Sequence, residues 1–263
     1  MLLTKWHVHM RTRMVSITRL WSSCAREWST TKWQLGHISV NTPTTRARQA
    51  SVYPVVDGRE EASAMKETLL RHSARLFAVS GYHAAKISDI VRASGVTQAT
   101  FYWHFQSKLD VALEVITRGR DQMLEVIQHG YRKQPVSIEG MLANTESWLL
   151  QLLDFANRNR HFMAILLTRL KGADVQIDQA IVETRSALFS ALRNNIDQAV
   201  STGMLPAGMD LDLRAALVYR LIEGSIEWWL FGNAYQLDHV SSVPARRMAE
   251  QLARFEFFGL LAV

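Results

Sequence analysis

The sequence predicts an all-α protein, with an N-terminal three-helix head carrying a helix-turn-helix and a larger helical domain after it. Three observations point that way. From Arg59 onward, apolar residues recur at spacings of three and four almost without interruption. Gly81, Gly95, Gly130, Gly203, Pro135 and Pro206 fall between those runs, where helices stop. No stretch alternates apolar and polar residues as a half-buried strand would.

Taken in order, Met65, Leu69, Leu70, Leu76 and Phe77 mark a first helix that Gly81 ends. A short second helix covers about Ser88 to Ser94, with Ile87, Ile90 and Val91 inward, and Gly95 breaks it. Thr97 is placed to cap a third helix, since a threonine hydroxyl there accepts a bond from an orphan backbone N–H. Phe101 and Phe105, four apart, share its inner face. A fourth helix runs from about Ser107 to His129. Ser137 caps a fifth that reaches about Asn157. Further helices are expected at about 159–170, 178–202, 210–231 and 242–261, the 210–231 helix capped by Asp210. That makes nine helices.

Composition narrows the function classes. The 263 residues are 48% hydrophobic and 21% charged, ordinary for a globular protein. Cys24 is the single cysteine, so no disulfide forms within the chain and a reducing, cytoplasmic compartment is expected. No apolar run approaches the ~20 residues that span a bilayer, and no compact apolar segment of secretory type follows the first basic residues. The net charge of +6 belongs to residues 1–58, with eight basic and two acidic residues, while the rest of the chain balances. That segment holds four of the eight tryptophans, is rich in Ser, Thr and Arg, and has no sustained period. It is expected to be a disordered basic tail, or the product of a start codon assigned too early. Residues 59–108 carry seven basic and four acidic residues, a modest excess that suits a nucleic-acid module.

The segment with most chemistry runs from Gly81 to Lys108. Gly95 permits a tight turn and Val96 plugs the angle between the second and third helices. With Phe101 and Phe105 inward, the third helix shows Gln98, Ala99, Thr100, Trp103 and His104 outward. That face is polar, aromatic and free of acids, suited to a major groove.

Here the chain resembles the TetR family over about residues 66–116. The resemblance rests on Leu76-Phe77, Gly81-Tyr82, Asp89-Ile90, Gly95-Val96-Thr97, Thr100-Phe101-Tyr102-Trp103-His104-Phe105 and Ser107-Lys108. It implies a homodimer that binds double-stranded operator DNA through its first three helices. A small-molecule effector and the dimer interface would belong to the helices after them, giving domains at 59–111 and 112–263. By position, the resemblance makes Thr97, Tyr102, His104 and Lys108 phosphate contacts, and Gln98, Ala99, Thr100 and Trp103 contacts to base edges or sugars. Other roles stay open: core aromatic for Tyr102, packing on the fourth helix for Trp103, a polar cap for His104, a solvated charge for Lys108. Lys86 stands where the family has Ser or Thr. Lysine cannot accept a bond from a backbone N–H, so either Ser88 caps a shorter helix or the end is uncapped and Lys86 reaches phosphate. Val91, Ser94 and Ala99 also depart from the family pattern.

The later helices are rich in aromatic residues and methionine, which suits either ordinary core or a cavity for an apolar effector. Trp148, Phe155, His161, Phe162, Arg169 and Trp228 are the candidate lining residues. Leu217, Leu221, Gly224, Ser225 and Trp228 form one stripe and Leu252, Phe255 and Phe258 another, as in paired helices of a dimer. Neither a Gly-x-Ser-x-Gly nor a phosphate-binding glycine loop nor His-Glu-x-x-His occurs. His7 and His9 lack a second cluster. Neither enzyme activity, cofactor nor metal is expected. The expected function is a ligand-released transcriptional repressor, against two alternatives: an activator of the same fold, and a helical enzyme or carrier that has lost DNA binding.

Overall fold

The structure is a computed structural model that describes residues 58–129, 137–170, 172–208 and 210–258. The side chains of residues 58, 59, 168 and 169 and the segment before residue 58, expected as a tail, lie outside the described residues, as do His7 and His9.

Helix α1, Gly58–Ser80, opens with Glu60 and Glu61, whose charges complement the N-terminal end of the helix dipole. It buries Leu69, Leu70, Ser73 and Phe77. Then come α2 (Ile87–Ser94), α3 (Gln98–His104) and α4 (Lys108–Gln128). The second half comprises α5 (Ile138–Arg158), α6 (Arg160–Ala164), α7 (Val175–Ser201), α8 (Leu211–Phe231) and α9 (Ala245–Phe258). Among the described residues there is no strand.

The expected caps form. The Ser137 hydroxyl accepts from Gly140 N–H at 3.1 Å, and an Asp210 carboxylate oxygen accepts from Leu213 N–H at 3.0 Å. Asp174 accepts from Gln176 N–H at 2.8 Å, so α7 starts at Val175, earlier than the expected 178. The single helix expected over 159–170 is instead two pieces: α6, then a π-helical turn at Ile165–Arg169. The π geometry lengthens each backbone bond by one residue. Arg185 on α7 donates from Nη2 to the carbonyl oxygens of Leu166, at 3.2 Å, and Leu167, at 3.4 Å.

Helix α4 lies along α7, α5 along α9 and α7 against α8, while α1 packs on α2, α4, α6 and the π turn. One apolar core runs from Leu69 and Phe77 through Ile116 and Leu149 to Leu252. Ion pairs join α1 to α4 at its rim: Lys66 to Glu114 at 2.7 Å, and Arg118 to Glu67. Gly119 on α4 gives close approach to α6, because a Cβ there would lie 2.6 Å from Cγ of the Phe162 ring. No described helix is long and apolar enough to cross a membrane.

Candidate nucleic-acid interface

The turn between α2 and α3 is built from the backbone. Gly95 has φ +69°, in the left-handed region where glycine carries no Cβ penalty. Its N–H donates to Arg92 O at 3.3 Å, and Val96 N–H donates to Val91 O at 3.2 Å. Val96 is half-buried against the core. The Thr97 hydroxyl accepts from Thr100 N–H at 3.1 Å and lies 2.8 Å from the Thr100 hydroxyl. This cap fixes the start of α3.

Phe101 and Phe105 are buried with ring centroids 5.7 Å apart, and they anchor α3 to the head. The opposite face is open. Gln98 and Ala99 are exposed, Tyr102 is 50% exposed and Trp103 72%. Trp103 therefore does not pack on α4, and Tyr102 is not a core aromatic. The His104 ring stands edge-on to Trp103 at 4.5 Å. Burial, then the charge of Lys66, holds its pKa below the ordinary imidazole value, so the ring is neutral at neutral pH. Trp103 and His104 form one aromatic step beside the hydroxyl of Thr100 and the amide of Gln98, and no side chain of α3 is acidic.

Lys86 is exposed, and α2 begins at Ile87 with no side-chain cap. The uncapped alternative for that end is therefore the one adopted. Lys108 is engaged within the head rather than held only by solvent. Its ammonium donates to Tyr82 O at 2.7 Å and Ala85 O at 3.0 Å, with a longer approach to His83 O at 3.4 Å. It also sits 4.3 Å from the centre of the Tyr82 ring, and burial lowers its pKa. Those bonds tie the start of α4 to the loop after α1. The partner residues, Tyr82 and Ala85, escape sequence reasoning because the contact spans more than twenty residues and uses backbone oxygens. Ser107 caps α4 through Asp110 N–H at 3.1 Å, and an Asp110 oxygen accepts from Gln106 N–H at 3.0 Å.

The candidate effector residues do not converge. Trp148 is buried, donates its indole N–H to Val126 O at 3.2 Å and lines a small inner cavity of about 30 Å³ between α4, α5, α7 and α8. Phe155 and Phe162 are core residues stacked edge to face at 6.4 Å. His161 is half-buried on α6, and burial, then Arg75 and Arg160, hold its pKa down. Trp228 is 46% exposed on α8, away from Trp148. The side chain of Arg169 lies outside the described residues. Sequence reasoning missed Tyr219 and Glu223, which also line the inner cavity. An open groove of about 960 Å³ lies one turn further along α5, α7 and α8, where α9 completes the wall, lined by Thr145, Ile196, Val218, Leu217 and Phe255 among others.

Comparison with known proteins gives a consistent answer. Residues 69–115 match the family model of bacterial regulatory proteins of the tetR family. The chain is 26% identical to the HTH-type transcriptional regulator AcrR of Shigella flexneri, over 66% of this chain and 81% of that one. It is 25% identical to the HTH-type transcriptional regulator TtgR of Pseudomonas putida, over 65% and 83% of the respective lengths. Its fold is similar to that of the transcriptional regulator FadR from Bacillus subtilis, solved in complex with stearoyl-CoA. The TM-score there is 0.60 and the identity 14%, covering 74% of this chain and 98% of FadR.

Proposed function

The chain belongs to the TetR family of DNA-binding transcriptional regulators, and from that premise we propose that it is a homodimeric repressor released from a palindromic operator by a small apolar effector. The observation that carries the reading is the outer face of α3. A short helix locked by a threonine cap and two buried phenylalanines presents Gln98, Ala99, Thr100, Tyr102, Trp103 and His104 without an acid among them. Gln98 suits bidentate contact to adenine, and Ala99 and the Thr100 methyl suit a thymine methyl. Thr97, Tyr102, His104 and Lys86 are assigned to phosphates and Trp103 to an adjacent base or sugar. Lys108 acts behind them, setting the angle between α4 and the reading head.

The domains are residues 59–111 for DNA and 112–263 for effector and partner. Leu213, Leu217, Gly224 and Trp228 lie along one exposed face of α8, and Phe255 and Phe258 are exposed on α9. A second copy covers that face. One seven-residue helix touches too few base pairs alone, so two must engage half-sites about one helical turn apart. The FadR of like fold, described with stearoyl-CoA, supports an apolar effector.

Selection from random duplex DNA tests the proposal. An inverted repeat should emerge, with affinity falling steeply as salt rises, because phosphate contacts release counterions. Gln98→Ala should lose roughly 1–3 kcal/mol at one base position. Enrichment of no common sequence would refute sequence-specific binding.

A further inference from the structure

Helix α6 holds the last turn of α8 through one side chain. Nη2 of Arg160, the first residue of α6, donates to the carbonyl oxygens of Leu230 on α8 and of His239 in the loop before α9. Leu230 O is one of the final carbonyls that a helix leaves without an internal partner, and a cation there also answers the negative end of the helix dipole. The guanidinium lies 5.5 Å from the centre of the Phe231 ring. Burial lowers its pKa, and the charge of Asp238, beside His239, opposes that. The Nε–H is buried with no partner among the described residues, so the grip is concentrated at Nη2. The loop itself is folded tightly onto the end of α8. Gln236 N–H donates to Phe231 O at 2.8 Å, the Trp229 indole N–H donates to Val243 O at 2.7 Å, and a Cβ on Gly232 would lie 3.0 Å from Nδ1 of His239. Trp228, on the face assigned to pairing, stands two residues before Leu230. On its other side α6 packs on α1 and α4, with Phe162 against Gly119. Its broad contacts are with α1, α4 and α5, and Arg160 is its reach across to α8.

We propose that Arg160 is a positioning residue for operator recognition: it fixes the pairing end of α8 to α6, and so sets the half-site spacing that a dimer accepts. This rests on the reading of the chain as a homodimeric repressor. In such a dimer the separation of the two reading helices follows from how each head sits relative to its own pairing face. The head is carried by α1 and α4, and α6 lies between them and the end of α8. One more base pair between half-sites moves the second by about 3.4 Å and turns it by about 34°. A head referenced to α8 through Arg160 resists that change, and a head released from it follows. Arg160 acts through this geometry and needs no contact with DNA.

The test is a spacer series. An operator is selected from random duplex DNA with the wild-type chain, and affinity is measured for it and for duplexes with the spacer one base pair longer and shorter. Wild type should prefer the selected spacer about tenfold, the order of one mismatched base pair. Arg160→Met keeps much of the stem over Phe231 and removes the donors, and as a folded dimer it should lose most of that preference. Arg160→Lys keeps the charge on a side chain without the planar fork and should fall between. A folded, dimeric Arg160→Met with the wild-type preference overturns the inference. So does an equal loss on all three duplexes, as a purely structural role would give, or dissociation of the variant into monomers, seen by sedimentation. If Arg160→Met does not fold, the wild-type chain decides. The amides of Gly232, Gln236 and His239 should exchange severalfold more slowly on the selected duplex than in the free dimer, and unchanged exchange overturns the inference. A selected operator with no spacer preference defeats it and leaves the repressor reading standing. Failure to select any sequence defeats both.

Discussion

The Lys108 ammonium rests on Tyr82 twice, 2.7 Å from its carbonyl oxygen and 4.3 Å from the centre of its ring. With the Ala85 carbonyl, this fastens the first turn of α4 to the loop that carries α1 into α2. Lys108→Met keeps much of the stem and removes the charge. It should destabilise the fold by about 1–3 kcal/mol, since three backbone oxygens lose a charged donor. Operator affinity should fall equally on all sequences. A melting temperature unchanged in Lys108→Met would show that the clamp contributes nothing.

Gly119→Ala should be destabilising although alanine favours helix. The gain in helix propensity is about 1 kcal/mol, but the new methyl collides with the buried Phe162 ring on α6. Overpacking of that kind costs about 1–3 kcal/mol, and more where neither helix can retreat. Phe162→Leu in the same chain should relieve part of the loss, making the pair non-additive. Chemical unfolding of the four members of the cycle measures it. Simple additivity would mean that α4 and α6 do not meet as closely as described.

Acid should weaken the fold through its histidines. Burial comes first for each of His72, His104 and His161; Arg71 and Arg75 act on the first, Lys66 on the second, Arg75 and Arg160 on the third. All three pKa values lie below the ordinary 6.5. The unfolded chain therefore binds more protons than the folded one in the window beneath that value. Stability is fully present above about pH 6.5 and is lost as pH falls through the folded values. The melting temperature should hold near neutrality and drop on acidification, and His161→Gln should flatten the drop. An identical pH profile for wild type and His161→Gln would rule out its contribution.

The head was legible in the sequence because its determinants are local. Thr97 caps a helix three residues ahead, Phe101 and Phe105 repeat at helical spacing, and Gly95 sits where the backbone must turn left-handed. Each relation spans a few residues and leaves a period or a punctuation mark. The relations that escaped are long-range. Arg185 holds carbonyls nearly twenty residues earlier, and nothing around Leu166 signals that the helix there widens into a π turn. Periodicity also marks a face as apolar without saying what covers it. Trp148 and Trp228 are both candidate lining residues on aromatic-rich helices, yet one is buried at a cavity and the other faces outward.

The open face of α8 and α9 has a genetic consequence. A copy with Leu217, Trp228 and Phe258 intact but α3 disabled still enters dimers on the proposed pairing. On that proposal, mixed pairs carry one working reading helix where an operator of two half-sites needs two. Such an allele behaves as dominant negative, since its product sequesters wild-type partners in proportion to its dose. An allele that instead replaces Leu217 by a charged residue withdraws from pairing and is recessive. On the proposed dimer, the position of a lesion along the chain sets its inheritance, apart from how severely it damages the fold.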